Sequence, residues 1–147
     1  MVDTSAMPAL ELVYQAEVDI AERQDMGASA LGHRFIVPIL GGTFSGSRGL
    51  RGTVLAGGAD RQLLRPDGVK ELDALYEMRT DDGTVITVRN RAVIDDSRTP
   101  ARYARSVLLL RAPEGPHGWL NRRVFVGTVD SMRPARVAVL IRVYLLD

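Results

Sequence analysis

Residues 11–20, Glu-Leu-Val-Tyr-Gln-Ala-Glu-Val-Asp-Ile, decide the fold class: Leu12, Tyr14, Ala16, Val18 and Ile20 occupy every second position. A period of two places them on one face of a pleated strand and leaves Glu11, Val13, Gln15, Glu17 and Asp19 on the other. Further runs repeat the signal. Residues 33–40 are β-branched in character and are expected to end as a strand at Gly41-Gly42. Residues 69–78 alternate as Leu72, Ala74, Tyr76 and Met78 against Asp73, Leu75, Glu77 and Arg79, which reads as a long strand. Val85-Ile86-Thr87-Val88 follows Asp81-Asp82-Gly83, and Asp-Gly between β-rich runs signals a hairpin. Residues 124–129 and 137–146 give two closing strands, the last apolar on both faces. Only residues 24–31 are expected to make a turn or two of helix, limited by Gly27 and Gly32, while residues 94–100 read as a polar loop. Clusters such as Gly57-Gly58, Pro66-Asp67-Gly68, Pro113-Glu114-Gly115-Pro116 and Arg133-Pro134 separate the runs. Short, evenly punctuated strands over 147 residues predict a single all-β domain, residues 1–147, a sandwich or a barrel with little helix.

Composition narrows the chemistry. There is no cysteine, so disulfides, thiolate metal ligands and a cysteine nucleophile are excluded. A net charge of +1 supplies no broad field for nucleic acid or for an acidic membrane, and neither partner is expected. Lys70 is the sole lysine among the basic residues; every other one is arginine, through coding bias or as a functional arginine surface. A Schiff-base or phosphate-loop lysine has no other candidate, and Gly68-Val69-Lys70-Glu71 is not a phosphate loop. The aliphatic run at 137–141 is far below the roughly 18 residues of a membrane helix, and Met1-Val2-Asp3-Thr4-Ser5 lacks a secretory start, so a soluble, cytoplasmic protein is expected.

No dinucleotide fingerprint occurs, and Gly42-Thr43-Phe44-Ser45-Gly46 has the wrong spacing for a serine nucleophile elbow. His33 and His117 are the only histidines; His117, between Pro116 and Gly118, reads as an exposed loop residue. No metal site and no cofactor are predicted. The positive signals lie beside glycines and aromatics. Asp60 follows Gly57-Gly58-Ala59, where it either points into a barrel rim as an acid or base or caps the turn. Arg79 beside the hairpin is a candidate for stabilising an enolate or carboxylate, with Asp60 as the other catalytic candidate. Tyr76 and Asn90 lie on strand patterns, and Trp119 and Asn121 stand two apart on one face, either as core plus cap or as pocket wall and orienting amide.

Taken in order, several of these segments resemble a bacterial family known as domain of unknown function 3237. They are Gly41-Gly42-Thr43-Phe44-Ser45-Gly46, Gly57-Gly58-Ala59-Asp60, Leu72-Asp73-Ala74-Leu75-Tyr76 with Thr80-Asp81-Asp82-Gly83, Arg89-Asn90-Arg91, and Trp119-Leu120-Asn121 with Phe125-Val126-Gly127. The resemblance runs from about Leu12 to Tyr144. It departs at Arg61, where the family usually has tryptophan, and at residues 101–106, which match a family strand only in part. It implies a closed antiparallel β-barrel, similar to the allene oxide cyclases and lipocalin-like calycins, wide enough for one small ligand.

Two functional expectations follow. The first is a cofactor-independent enzyme doing isomerase, cyclase or hydro-lyase chemistry on a hydrophobic, oxygenated small molecule. Asp60 and Arg79 would be catalytic, with Tyr76, Asn90, Trp119 and Asn121 binding substrate. The second is a binding module or oligomeric scaffold without chemistry. The doubly apolar final strand also predicts a homo-oligomer, a dimer.

Overall fold

The computed structural model describes residues 2–3, 5–97 and 101–147. Its strands are β1 (Leu10–Ile20), β2 (Gln24–Ser29), β3 (Gly32–Gly46), β4 (Gly52–Val54), β5 (Ala59–Leu64), β6 (Lys70–Thr80), β7 (Val85–Asp95), β8 (Tyr103–Arg111), β9 (Val124–Ser131) and β10 (Ala138–Leu146), with one 3-10 turn at Gly118–Arg122. Neighbours are antiparallel in the order β1, β10, β9, β8, β7, β6. β4 and β5 share the gap between β6 and β3, and β1 pairs with β3 to close the ring. Since β2 prolongs the line of β1 along β3, the strands fill the positions of a closed eight-stranded barrel.

Strict alternation builds the wall. In β7, Ile86, Val88, Asn90, Ala92 and Ile94 are buried while Val85, Arg89, Arg91 and Val93 face out. β8 repeats this with Ala104, Ser106, Leu108 and Leu110 inward. One end of the interior is filled by bulky side chains, among them Tyr14, Phe44, Leu50, Met78, Leu120 and Phe125. His117 belongs to this end. It is buried, not exposed as expected, and its Nε2 lies 3.2 Å from Asp82 Oδ2. That contact ties the 113–118 loop to the Asp81-Asp82-Gly83 turn, whose Asp82 also accepts hydrogen bonds from the Thr80 hydroxyl and the Thr84 amide.

Besides His117, the structure departs from the sequence reading in four strand assignments. Residues 24–31 form strand β2 and its turn into β3 instead of helix. Gly27, at φ +93°, breaks helical geometry, and the long edge of β3 supplies backbone partners. β3 does not stop at Gly41-Gly42 but runs to Gly46, because this is the stretch that pairs with β1. In β1 a register shift between Leu12 and Tyr14 buries both Val13 and Tyr14 and turns Leu12 outward. β7 extends through Asp95, and residues 98–100 of the expected loop lie outside the described residues.

Gly42 sits on the closing seam at φ +136°, and a Cβ there would lie 2.0 Å from the Glu17 carbonyl oxygen. Gly42→Ala is therefore expected to lower the unfolding free energy by about 2–4 kcal/mol, from backbone strain and a forced opening of the seam. Urea denaturation of the variant measures this. A loss below about 0.5 kcal/mol, typical of unconstrained surface sites, would contradict the close packing at the seam.

Candidate functional site

At the other end the inward side chains are small, and the barrel holds a cavity of about 500 Å³. Its walls are mainly apolar, including Val18, Ile39, Leu72, Ala74, Ala92 and Ile141. Strand register sets its polar groups. Asp60 of β5 pairs with Ala74 of β6, which pairs with Asn90 of β7, so Asp60 and Asn90 face the cavity from one row. Gln62 lies one inward step along β5, and Tyr76 one inward step deeper on β6. Lys70 stands four residues up β6 from Ala74, roughly 13 Å along the strand and toward the mouth.

Asp60 is half-buried against the cavity and does not cap a turn. Its Oδ1 accepts the Asp73 backbone N–H at 3.0 Å, and its Oδ2 accepts from Gln62 Nε2 at 2.8 Å. Both bonds favour the carboxylate, yet burial outweighs them and pushes its pKa from 3.8 up to about 6. The Tyr76 phenol, 2% exposed, is raised by burial and then by the Asp60 charge. Neither its hydroxyl nor Asn90 Oδ1 has a hydrogen-bond partner among the described residues. Lys70 is shifted down, first by burial, then by Arg102 and Arg23. With Arg133, these cations ring the mouth. Among the described residues no three His, Cys, Asp or Glu side chains come together as a metal site.

Three sequence candidates lie elsewhere. Arg79 is exposed on the outer face of β6. It is three residues from Tyr76, and an odd separation along a strand puts the two on opposite faces. Trp119 and Asn121 sit in the 3-10 turn at the filled end, not on a strand face. The Trp119 ring lies 5.9 Å from that of Phe125 and carries the Arg48 guanidinium at 4.7 Å. Asn121 clamps the Ala112 backbone: its Oδ1 accepts the N–H at 3.0 Å and its Nδ2 donates to the carbonyl at 2.8 Å. The cavity instead adds Gln62, Lys70, Arg23, Arg102 and Arg133. Parity carried the signal for two of them: Gln62 is two residues from Asp60, and Lys70 is six from Tyr76.

A family model described as "Protein of unknown function (DUF3237)" matches residues 8–146. The chain belongs to this family. A curated relative, a UPF0311 protein of Rhodopseudomonas palustris, is 41% identical over 88 residues, covering 58% of this chain and 57% of that one. By sequence, the chain thus spans little more than half the length of that relative. Among solved structures, a protein of unknown function from Clostridium acetobutylicum superposes with a TM-score of 0.86 at 28% identity, covering 95% of this chain and 99% of that one. A beta-barrel like protein from Acinetobacter baumannii gives 0.84 at 29% identity, with 95% and 96% covered. A structure described as an enzyme from Penicillium herquei gives 0.78 at 20% identity over the full length of both chains, a likeness of fold alone. Among the described residues no helix is long and apolar enough to cross a membrane.

The raised pKa of Asp60 has a sign in stability. The folded state favours the protonated form, so this contribution is complete below about pH 4 and is lost as pH rises through about 6. A shift of about two units corresponds to at most about 3 kcal/mol. Asp60→Asn removes the titration. The stability of the variant relative to the parent is expected to rise by up to about 3 kcal/mol between about pH 4 and about pH 7.5, measured by urea denaturation at both. A pH-independent difference would mean that Asp60 titrates as an ordinary carboxylate.

Proposed function

We propose that the cavity is a cofactor-independent acid–base site for a hydrophobic, oxygenated small molecule, with Asp60 as the proton-transferring group. The reading rests on one observation: a carboxyl whose pKa burial has moved to about 6 lies in an apolar cavity with the unpartnered Tyr76 hydroxyl and Asn90 carbonyl oxygen. A group titrating near neutrality both gives and takes protons at useful rates. Tyr76 donates to a ligand oxygen, and Asn90 accepts from a ligand hydroxyl. Apolar walls supply binding area, and isomerisation, cyclisation or movement of water across a double bond requires no more than such proton transfers. The distant fold neighbour described as an enzyme is consistent with catalysis inside this kind of barrel, and its likeness bears on fold only.

The test uses a panel of unsaturated and hydroxylated ketones in deuterium oxide, with exchange and rearrangement followed by mass spectrometry. The parent is expected to exchange or convert at least one compound, and Asp60→Asn to lose that activity with its far-ultraviolet dichroism unchanged. Asparagine keeps the shape and the accepting oxygen but cannot exchange a proton near neutral pH. Turnover that persists in Asp60→Asn would remove Asp60 from the mechanism. Binding without turnover in the parent would favour a carrier, a reading in which the Asp73 amide bond to Asp60 is purely structural.

We further propose that the chain assembles as a homodimer through the outer wall of β1, β10, β9 and β8. Register aligns Leu12, Tyr144, Val126 and Val107 into one outward row, with Val107 57% exposed. An isologous contact along that row would cover the outer face of the final strand. Light scattering is expected to give a dimer mass for the parent and a monomer mass for Val107→Glu. A monomeric parent at high concentration would refute the assembly.

A further inference from the structure

The mouth of the cavity has a charge imbalance. Of its four cations, Arg102 is paired with Asp96 at 3.0 Å and Arg133 with Glu22 at 3.4 Å. Among the described residues, neither Arg23 nor Lys70 has a carboxylate within ion-pair distance; Arg23 lies over the Phe35 ring at 4.0 Å instead. Lys70 feels this crowding: repulsion from Arg102 and Arg23 outweighs its attraction to Asp60 and Asp96. The ion pairs at the mouth are solvent-facing and individually weak, so their arginines are free to change partner. The rim thus sets four cations against two carboxylates, Glu22 and Asp96, and leaves Lys70 and Arg23 without an anionic partner among the described residues.

We infer that the ligand is an apolar carboxylate, bound with its anionic group at the mouth between Lys70 and Arg23 and its apolar body inside the barrel. This rests on the acid–base reading above and names its substrate class. Orientation follows from charge. The deep row carries Asp60, which repels an anion when ionised, whereas at the rim four cations outnumber the carboxylates of Glu22 and Asp96. The Lys70 and Asp60 rows are roughly 13 Å apart along the strand backbone, an upper bound on the spacing in the ligand because the Lys70 charge still acts on Asp60. Its oxygenated, reacting carbon lies well along the chain from the carboxylate, within reach of Asp60, Tyr76 and Asn90.

The experiment compares decanoate with its neutral amide, decanamide, by calorimetry at about pH 8 and low salt, on the parent and on Lys70→Met. Methionine keeps an apolar stem and removes the charge. The parent is expected to bind decanoate at least about tenfold more tightly than decanamide, a preference that shrinks as salt is added. Lys70→Met is expected to lose most of that preference while binding the amide as before. If Lys70→Met fails to fold, Arg23→Gln, at an exposed position, is expected to reduce the same preference. Equal affinity for the two compounds in the parent, a preference that survives both substitutions, or no binding of either compound would overturn the inference. These readouts are independent of turnover: loss of activity in Asp60→Asn with no carboxylate preference would sink this inference alone. The reverse result would sink only the catalytic reading.

Discussion

Everything in this structure depends on backbone contact between β1 and β3, because those hydrogen bonds turn a curved sheet into a closed wall. The ladder runs from Tyr14–Gly46 to Ile20–Ile39. It approaches so closely that Cβ atoms at Gly42 or Gly46 would lie 2.0 Å from carbonyl oxygens of Glu17 or Val13. Closure gives β1 and β3 backbone partners on both sides and fixes an inside and an outside for every strand. Only then does alternation acquire a functional meaning. An even-numbered residue on β6 belongs to the interior, and an odd-numbered one to the outer face.

The interior is divided by side-chain volume. Tyr14, Phe44, Met78, Leu120 and Phe125 fill one end, while Ala74, Ala92 and Val18 line the other and leave it hollow. The filled end supplies the burial that stabilises the barrel, each large apolar side chain contributing about 1.5–3 kcal/mol. The hollow end contributes less and holds the groups that oppose folding. Asp60 is driven toward neutrality by the loss of water, and Asn90 Oδ1 and the Tyr76 hydroxyl are buried without partners among the described residues. An unsatisfied buried polar atom costs about 1–3 kcal/mol. Tyr14 carries a similar orphan hydroxyl at the filled end, so an orphan atom alone does not mark a site. What distinguishes the hollow end is that its orphans share open volume with a titrating carboxyl.

The sequence made the wall legible because a period of two is a local property, and β6, β7 and the closing strands follow it. It misled where a glycine carries long-range information. Gly41-Gly42 reads locally as a stop, yet it is the seam through which β3 reaches β1. Gly27 reads as the limit of a short helix, yet it lies where the pairing of β2 with β3 shifts register. The site divides in the same way. Asp60, Tyr76 and Asn90 were within reach because strand parity and a flanking glycine pair pointed inward. Arg79 violated the parity that placed Tyr76, and Trp119 and Asn121 were assigned a strand spacing that their 3-10 turn does not have. Arg102 and Arg133 flank strands, where alternation assigns no side, so only the folded mouth shows that they face it.

The two shifted groups at the hollow end share a cause. Burial raises Asp60 and lowers Lys70, so the cavity disfavours charge of either sign. A ligand that fills it expels more water and strengthens both effects. A carboxylate held at the mouth separates them: its negative charge favours the ammonium of Lys70 and further disfavours the carboxylate of Asp60. In the proposed complex Asp60 therefore keeps its proton to higher pH than in the free protein. Under the proposed mechanism, the protonated fraction donates to a ligand oxygen, and the Asp60 carboxylate formed in that step is the base that recovers a proton from carbon. The proposed ligand charge and the proposed order of proton transfers thus rest on one arrangement, a carboxyl inside an apolar barrel with an excess of cations at the rim.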